Sequence, residues 1–202
     1  MQDQPEEKEH RHFKLHKPYG YLSQFVCEHK NKKLLGDLYD FPEGTMAIGR
    51  LDQDSEGLLL LTTDGKMSEQ VRRKEVEKEY YAQVDGLITD EALDQLQQGV
   101  EISVGKQQYK THPCKAFRLE TAPDLAARSR KIRDDRHGPT SWVSITVTEG
   151  KFRQVRKMTA AVGFPTLRLV RVRIGATFLG ALQPGAVEEV EDFALSVEGS
   201  FQ

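Results

Sequence analysis

Four consecutive leucines, Leu58 to Leu61, stand between Gly57 and the polar run Thr62-Thr63-Asp64-Gly65. The run is of strand length and offers no polar position, so neither face of the extended chain can be left in water. It requires a strand covered on both sides, within a sheet that has packing layers above and below it. A chain of 202 residues can bury such a core, as one domain or as two small subdomains sharing it. No apolar run reaches the length that crosses a bilayer, so no membrane contact is expected. The opening segment MQDQPEEKEHRH is polar and acidic and lacks the apolar core of a secretory signal. Its composition predicts a disordered tail over residues 1–12.

The remaining pattern mixes strands and helices without a regular βαβ alternation. Phe13 to Leu15 reads as a strand ending at the turn Lys17-Pro18-Tyr19-Gly20, and Met46 to Leu51 as a strand running into Asp52. Lys33 to Tyr39 predicts a short helix, broken by Pro42-Glu43-Gly44. Asp64 is placed to cap a helix through Arg73, and Thr89 one that Gly99 closes. Strands are expected at Tyr80 to Val84, Tyr109 to Leu119, Trp142 to Thr148, Leu167 to Ile174 and Val187 to Val190, with a helix at Gln154 to Val162. Thr121 to Thr140 has no clean period and reads as a loop or arm. The fold class predicted is α+β, a mixed, mainly antiparallel central sheet with flanking helices.

A formal net charge of -2 argues against nucleic-acid binding until the distribution is considered. Between Gly150 and Gly175 the chain carries Lys151, Arg153, Arg156, Lys157, Arg168, Arg171 and Arg173, and no acid. A second basic group, Arg128 to Arg136, is diluted only by Asp134 and Asp135. Acids collect near the two ends, so a near-neutral total conceals a basic body suited to phosphate. Cys27 and Cys114 have no CxxC spacing, which points to reduced thiols in a cytoplasmic protein rather than to a disulfide or zinc site.

The densest chemical signal is GRLDQDSEGLLLLTTDG, Gly49 to Gly65. A strand delivers Asp52 to a loop that turns at Gly57 and re-enters the core, which would hold a carboxylate firmly at the mouth of a sheet. The residues allow three readings: a polar turn, a catalytic carboxylate, or a divalent-ion site built from Asp52, Asp54 and Glu56. Spacing alone leaves them open.

This string resembles the catalytic motif of the RNA pseudouridine synthases, in the branch that modifies ribosomal RNA. Three more segments match in order: Lys17-Pro18-Tyr19-Gly20 resembles a K-P-x-G motif, Lys78-Glu79-Tyr80 a K-x-Y motif, and Glu149 to Gly175 a basic third motif. The resemblance spans about Phe13 to Val190. Asp54 to Gly57, Pro139 to Trp142 and Met158 to Leu169 narrow it to large-subunit synthases acting on one uridine of 23S rRNA. Relatives often carry an N-terminal S4-like domain; only a short segment precedes Phe13, so no S4 domain is expected.

The resemblance implies residues 13–192 as the catalytic domain, two subdomains sharing one sheet with the active-site cleft between them, and 193–202 as a C-terminal tail. It implies Asp52 as the essential carboxylate, which attacks C1′ or deprotonates C2′ of the ribose. Tyr80 would stack on the flipped uracil, Arg156 would pair with Asp52, and Leu169 would pack against the base. Lys17, Arg50, Lys151, Arg153, Lys157, Arg168, Arg171 and Arg173 are expected to contact RNA. No cofactor or metal is required by this chemistry, the partner is 23S rRNA, free or in an assembling subunit, and a monomer is the default. Ser55 stands where the family often has threonine or cysteine, and Phe152 and Lys157 also depart from common choices.

Overall fold

The computed structural model describes residues 9–133 and 135–195. The four leucines lie in strand β3 (Glu56–Thr62), all of whose residues are buried. Their side chains alternate as a pleated strand requires. Leu58 and Leu60 pack with Ile48, Val170 and Ile174 on one face, and Leu59 and Leu61 pack with Phe13, Leu15 and Leu35 on the other.

One edge of β3 pairs antiparallel with β1 (His12–Lys17) along its length. The other edge is divided. β2 (Met46–Ile48) covers Leu60 to Thr62, and β9 (Thr166–Ile174) runs parallel to β3 at Glu56 and Gly57. The loop from Gly49 to Ser55 leaves the sheet in the gap between these partners, which is what sets Asp52 at the junction. Gly57 has φ +107°, and a Cβ there would lie 2.3 Å from the Arg171 carbonyl oxygen. Only glycine lets the two strands approach this closely.

Beyond β9 the sheet continues through β4 (Lys78–Asp85) and β8 (Thr140–Val147) to β7 (Lys115–Leu119), while β11 (Val187–Val190) flanks β1. The short β10 (Thr177–Phe178) folds back on β9. Among the described residues every pairing of these sheet strands except β3 with β9 is antiparallel, and an isolated bridge, Tyr21 with Lys33, is parallel. A separate hairpin comprises β5 (Glu101–Val104) and β6 (Gln107–Lys110). Helices α2 (Asp90–Gln98) and α3 (Gln154–Ala161) cover one face of β4, β8 and β9, burying Leu93, Leu96, Val155 and Met158 against Ala82, Val143 and Ile145. The expected α+β sheet with flanking helices is therefore found. Thr89 caps α2 through its hydroxyl, which accepts from the Ala92 N–H, and Asp64 likewise caps α1 (Gly65–Val71) by accepting from Lys66 N–H.

Several expectations need correction. The helix at Lys33 to Tyr39 is a single 3-10 turn, Leu35–Asp37, because the Asp37 carboxylate turns back to accept from Leu34 N–H. Tyr109 to Leu119 is not one extended run: Tyr109 closes the β5–β6 hairpin, whose turn has Gly105 at φ +62°, and Lys115 opens β7. The folded body also extends further toward both ends than the expected limits of 13 and 192. His12 belongs to β1, Arg11 bridges to Glu189 through Nε and Nη2 at 2.6 and 2.7 Å, and Phe193 is buried against the His12 ring. Residues 1–8 and 196–202 of the expected tails lie outside the described residues. No helix among the described residues is long and apolar enough to cross a membrane.

Candidate active site

The loop that carries Asp52 is fastened on both sides. Ser23 accepts from Leu51 N–H (2.9 Å) and donates to Leu51 C=O (2.8 Å), so one hydroxyl satisfies both main-chain groups of the residue before Asp52. On the other side Gly20 N–H donates to Gln53 C=O (2.8 Å), and the Gln53 amide donates back to Gly20 C=O (3.1 Å). Gly20 is itself placed by Lys17, whose fully buried ammonium donates to the carbonyls of Pro18 (3.0 Å) and Tyr21 (2.7 Å). Burial pulls the Lys17 pKa down to about 8. The Lys17–Gly20 turn is thus the bracket on which the Asp52 loop hangs.

Three acids follow one another on this loop, and each meets a different environment. Glu56 is buried and held by the guanidinium of Arg168 in two bonds of 2.9 and 3.0 Å. Asp54 accepts a two-pronged bond from Arg153, 2.9 Å at each oxygen. Burial alone would raise the Asp54 pKa, but the Arg153 fork and the Arg156 charge outweigh it and hold it low. Asp52 is half-buried, and Arg153 Nη1 reaches its Oδ2 at 3.3 Å. Asp52 and Asp54 converge on one Arg153 nitrogen rather than on an open site, and Glu56 is turned away onto Arg168, so the three acids do not gather as the divalent-ion reading requires.

Arg153 has φ +53°, a left-handed conformation in a non-glycine residue immediately before α3. Such strain needs surrounding structure to hold it. Here the Arg153 fork supplies it from one side. A second network supplies it from the other, in which buried Glu149 accepts from the Tyr109 hydroxyl, His112 N–H (2.9 Å) and the Gln154 amide (2.8 Å).

Asp52, Arg153, Tyr80 and Leu169 line a single open cleft of about 870 Å³, together with Lys78 and Arg171. Tyr80 is aimed by an irregularity between β4 and β9: the register slips between Glu79 and Tyr80, so Arg173 stands opposite Glu79 and Arg171 opposite Tyr80. Successive residues of β4 face opposite sides, and the slip sends the two arginines likewise. Arg171 Nη1 approaches the Tyr80 hydroxyl at 3.4 Å.

With this geometry in place, a family model described as RNA pseudouridylate synthase matches residues 11–161. The chain belongs to the RNA pseudouridine synthase family. Its relatives include ribosomal large subunit pseudouridine synthase E of Xanthomonas campestris pv. campestris, 45% identical over 173 residues that make up 85% of this synthase and 90% of the relative. The Vibrio parahaemolyticus protein of the same name is 42% identical over 179 residues, 88% of this chain and 72% of that one. A solved structure described as a pseudouridylate synthase superposes with a TM-score of 0.69 at 27% identity, covering 90% of this chain and 70% of the other. The narrowed resemblance to large-subunit synthases is borne out by these names.

The basic residues of the synthase divide sharply. Arg168, Arg171 and Arg173 are only 6%, 5% and 8% exposed, and none is available to a phosphate backbone. Arg168 holds Glu56, Arg173 holds Glu77 (3.0 Å) and Glu79 (2.8 Å), and Arg171 donates to Leu58 C=O (2.8 Å). Lys17 is likewise internal. These four expected RNA contacts are therefore structural or pocket residues: the three arginines are held by acceptors from distant segments, and Lys17 by the carbonyls of its own turn. Arg153 is also reassigned, since it faces Asp52 and Asp54. Arg156 does not contact Asp52. It donates to Asp54 C=O (2.8 Å) and Ser55 Oγ (3.1 Å), bracing the loop from behind. Arg50 and Lys151 are exposed on the rim of the cleft, and half-buried Lys157 lies on α3.

Two features were missed from sequence. In sequence Asp54 reads as part of the motif and as a possible metal ligand, whereas in the fold its carboxylate and the Arg153 guanidinium at the start of α3 form a complementary pair. Lys78 stands in sequence only as part of the K-x-Y motif, yet it lines the cleft.

Proposed function

We propose that this synthase converts a single uridine of 23S rRNA to pseudouridine. The observation that carries the reading is the meeting of Asp52, fixed by Ser23 and Gln53 and touched by Arg153, with Tyr80 in one cleft. The large-subunit names of the relatives support the choice of RNA.

The target nucleotide leaves its stack and enters the cleft, at a cost of a few kcal/mol that a loop or frayed helix reduces. Asp52 is held at Oδ2 only among the described residues, so its second oxygen is left to face the ribose. Attack at C1′ and proton removal at C2′ both need a carboxylate oxygen there, and either route breaks the N1–C1′ bond. Uracil then turns, C5 joins C1′, and the C5 proton is lost beside Tyr80. Leu169 packs against the base. Arg50, Lys151 and Lys157 neutralise flanking phosphates, positioning the strand without reading its sequence. The arm at 121–140 supplies a second clamp. It is anchored to the Lys17–Gly20 turn, with the Arg128 guanidinium 4.6 Å from the Tyr19 ring centre and Arg130 donating to the Tyr19 hydroxyl. The protein acts as a monomer.

Tritium release from C5-labelled 23S and 16S transcripts in EDTA tests this reading. Wild type is expected to release tritium from 23S alone, and Asp52→Asn from neither. Equal release by the mutant, or dependence on a divalent ion for catalysis with RNA structure controlled, would contradict it.

A further inference from the structure

Arg168 and Arg173 spend their guanidinium groups on carboxylates; Arg171 does not. It is 5% exposed and lines the cleft, its Nε donates to Leu58 C=O at 2.8 Å, and Nη1 makes the long contact to the Tyr80 hydroxyl. Its Nη2 is buried with no hydrogen-bond partner among the described residues. An orphaned donor on a buried cation is costly, and a fold keeps one where something else completes it.

Lys78 lies two residues from Tyr80 on β4 and lines the same cleft. Its ammonium donates to Thr148 C=O at 3.2 Å, and no acid pairs with it among the described residues. Burial first, and the Arg171 charge second, lower its pKa. Beside Tyr80 the cleft therefore presents two cations whose nearest partners are neutral oxygens. Asp52 sits on the separate β2–β3 loop, bound to Arg153, and Glu149 is occupied by Tyr109, His112 and Gln154.

We propose that Arg171 and Lys78 form the subsite for the uracil ring and carry the negative charge it develops as it leaves. This rests on the reaction proposed above. When N1–C1′ breaks, its electron pair stays with the base and spreads over N1, O2 and O4. The electron-poor ribose carbon is satisfied by a new bond to the Asp52 oxygen, or by loss of the C2′ proton to it. The pair returns when C5 bonds to C1′ and the C5 hydrogen leaves as a proton, so no oxidant or reductant is needed. Donors aimed at oxygens that gain charge only in the transition state favour the step over the bound ground state. Tyr80 supplies the ring face, and the two cations supply the edge.

The test varies the leaving group. Wild type, Lys78→Met, Lys78→Arg and Arg171→Lys are compared in single turnover on one rRNA fragment carrying uridine or 5-fluorouridine at the target, whose base is a weaker base and a better leaving group. Loss of the starting nucleoside, which reports N1–C1′ cleavage on both substrates although 5-fluorouracil has no C5 hydrogen to release, is scored chromatographically after nuclease digestion, and melting temperature is recorded for each protein. Lys78→Met is expected to slow uridine conversion about 100-fold at saturating RNA with little change in RNA affinity. Its loss on 5-fluorouridine should shrink to about tenfold, and Lys78→Arg should regain most of the rate. Arg171→Lys gives the same pattern by an independent route if Lys78→Met melts early. Equal losses on the two substrates, or a loss confined to RNA affinity, would overturn the assignment and place a phosphate against these cations instead. A wild type that converts neither substrate while Asp52→Asn behaves identically would defeat the reaction itself rather than the subsite.

Discussion

The two halves of one basic stretch behave in opposite ways. Around the start of α3, Lys151 is exposed, its ammonium lies 4.6 Å from the Tyr109 ring centre, and Lys157 stands 5.2 Å from the ring centre of exposed Phe152. Lys151 rests on an aromatic face at the rim of the cleft, and Lys157, on α3, also donates to Ser103 C=O at 2.6 Å; neither is paired with an acid among the described residues, so both keep their charge available to an anion. Ten residues on, β9 passes through the middle of the sheet, where Arg168 and Arg173 are consumed by Glu56, Glu77 and Glu79, and Arg171 is buried against Leu58 C=O and Tyr80. The lesson concerns what a run of positive charge means. Its sign is local, whereas its availability depends on which distant acid the fold brings against it.

That contrast is open to direct attack, and the largest effect belongs to the buried side. Arg168→Met should leave Glu56 buried without its partner and cost about 3–5 kcal/mol, read as a marked fall in denaturant midpoint. An unchanged midpoint with weakened RNA binding would return Arg168 to the RNA-contact set. Lys17 provides the second case. Its folded pKa of about 8 lies below the ordinary 10.5, so between these values the unfolded chain holds a proton that the folded chain has lost. Stability should therefore rise with pH through that window, by about 3 kcal/mol at most, relative to Lys17→Met. A flat difference between the two proteins across pH 7.5 to 10.5 would show that the ammonium is solvated.

Arg153 stands between the two sets, half-buried and facing the acids of the Asp52 loop. Arg153→Gly keeps the left-handed backbone and removes the fork. It is expected to lower the rate at saturating RNA about 100-fold, or about 2.7 kcal/mol, with a melting temperature near that of wild type. A loss of the same size in Arg156→Ala but not in Arg153→Gly would favour Arg156 as the partner of Asp52. The smallest effects on folding belong to the rim. Lys151→Ala and Lys157→Ala should each stay within about 0.5 kcal/mol of wild-type stability. Each should also flatten the dependence of RNA affinity on salt, by about 0.7 in log–log slope if the contacted strand is single. Salt slopes equal to wild type would mean that the exposed half is as uninvolved with phosphate as the buried half.

Much of this was legible where the signal is contiguous. The four-leucine strand, the Asp52 loop, the caps at Asp64 and Thr89 and the order of the four motifs all depend on neighbours in sequence. What was not legible depends on pairings across the chain. Glu56 and Arg168 are separated by more than a hundred residues, and nothing near Arg168 shows that it will be buried. The slip at Glu79 and Tyr80, which sends Arg171 and Arg173 to opposite faces, has no local signature, because both strands alternate normally on either side of it. The β5–β6 hairpin was hidden by its polar composition, with Gly105 as the one clue. The assignment of Arg156 to Asp52 came from motif position, and a one-turn difference on entering α3 was enough to put Arg153 there instead.

The central claim is that the carboxylate of Asp52 drives isomerisation of one uridine in 23S rRNA. It is tested most directly by mapping pseudouridine across 23S rRNA in cells lacking this chain, complemented with wild type or with Asp52→Asn at matched protein levels. The account predicts that wild type restores one modified position and that Asp52→Asn restores none while remaining folded. Restoration of that position by Asp52→Asn would contradict it.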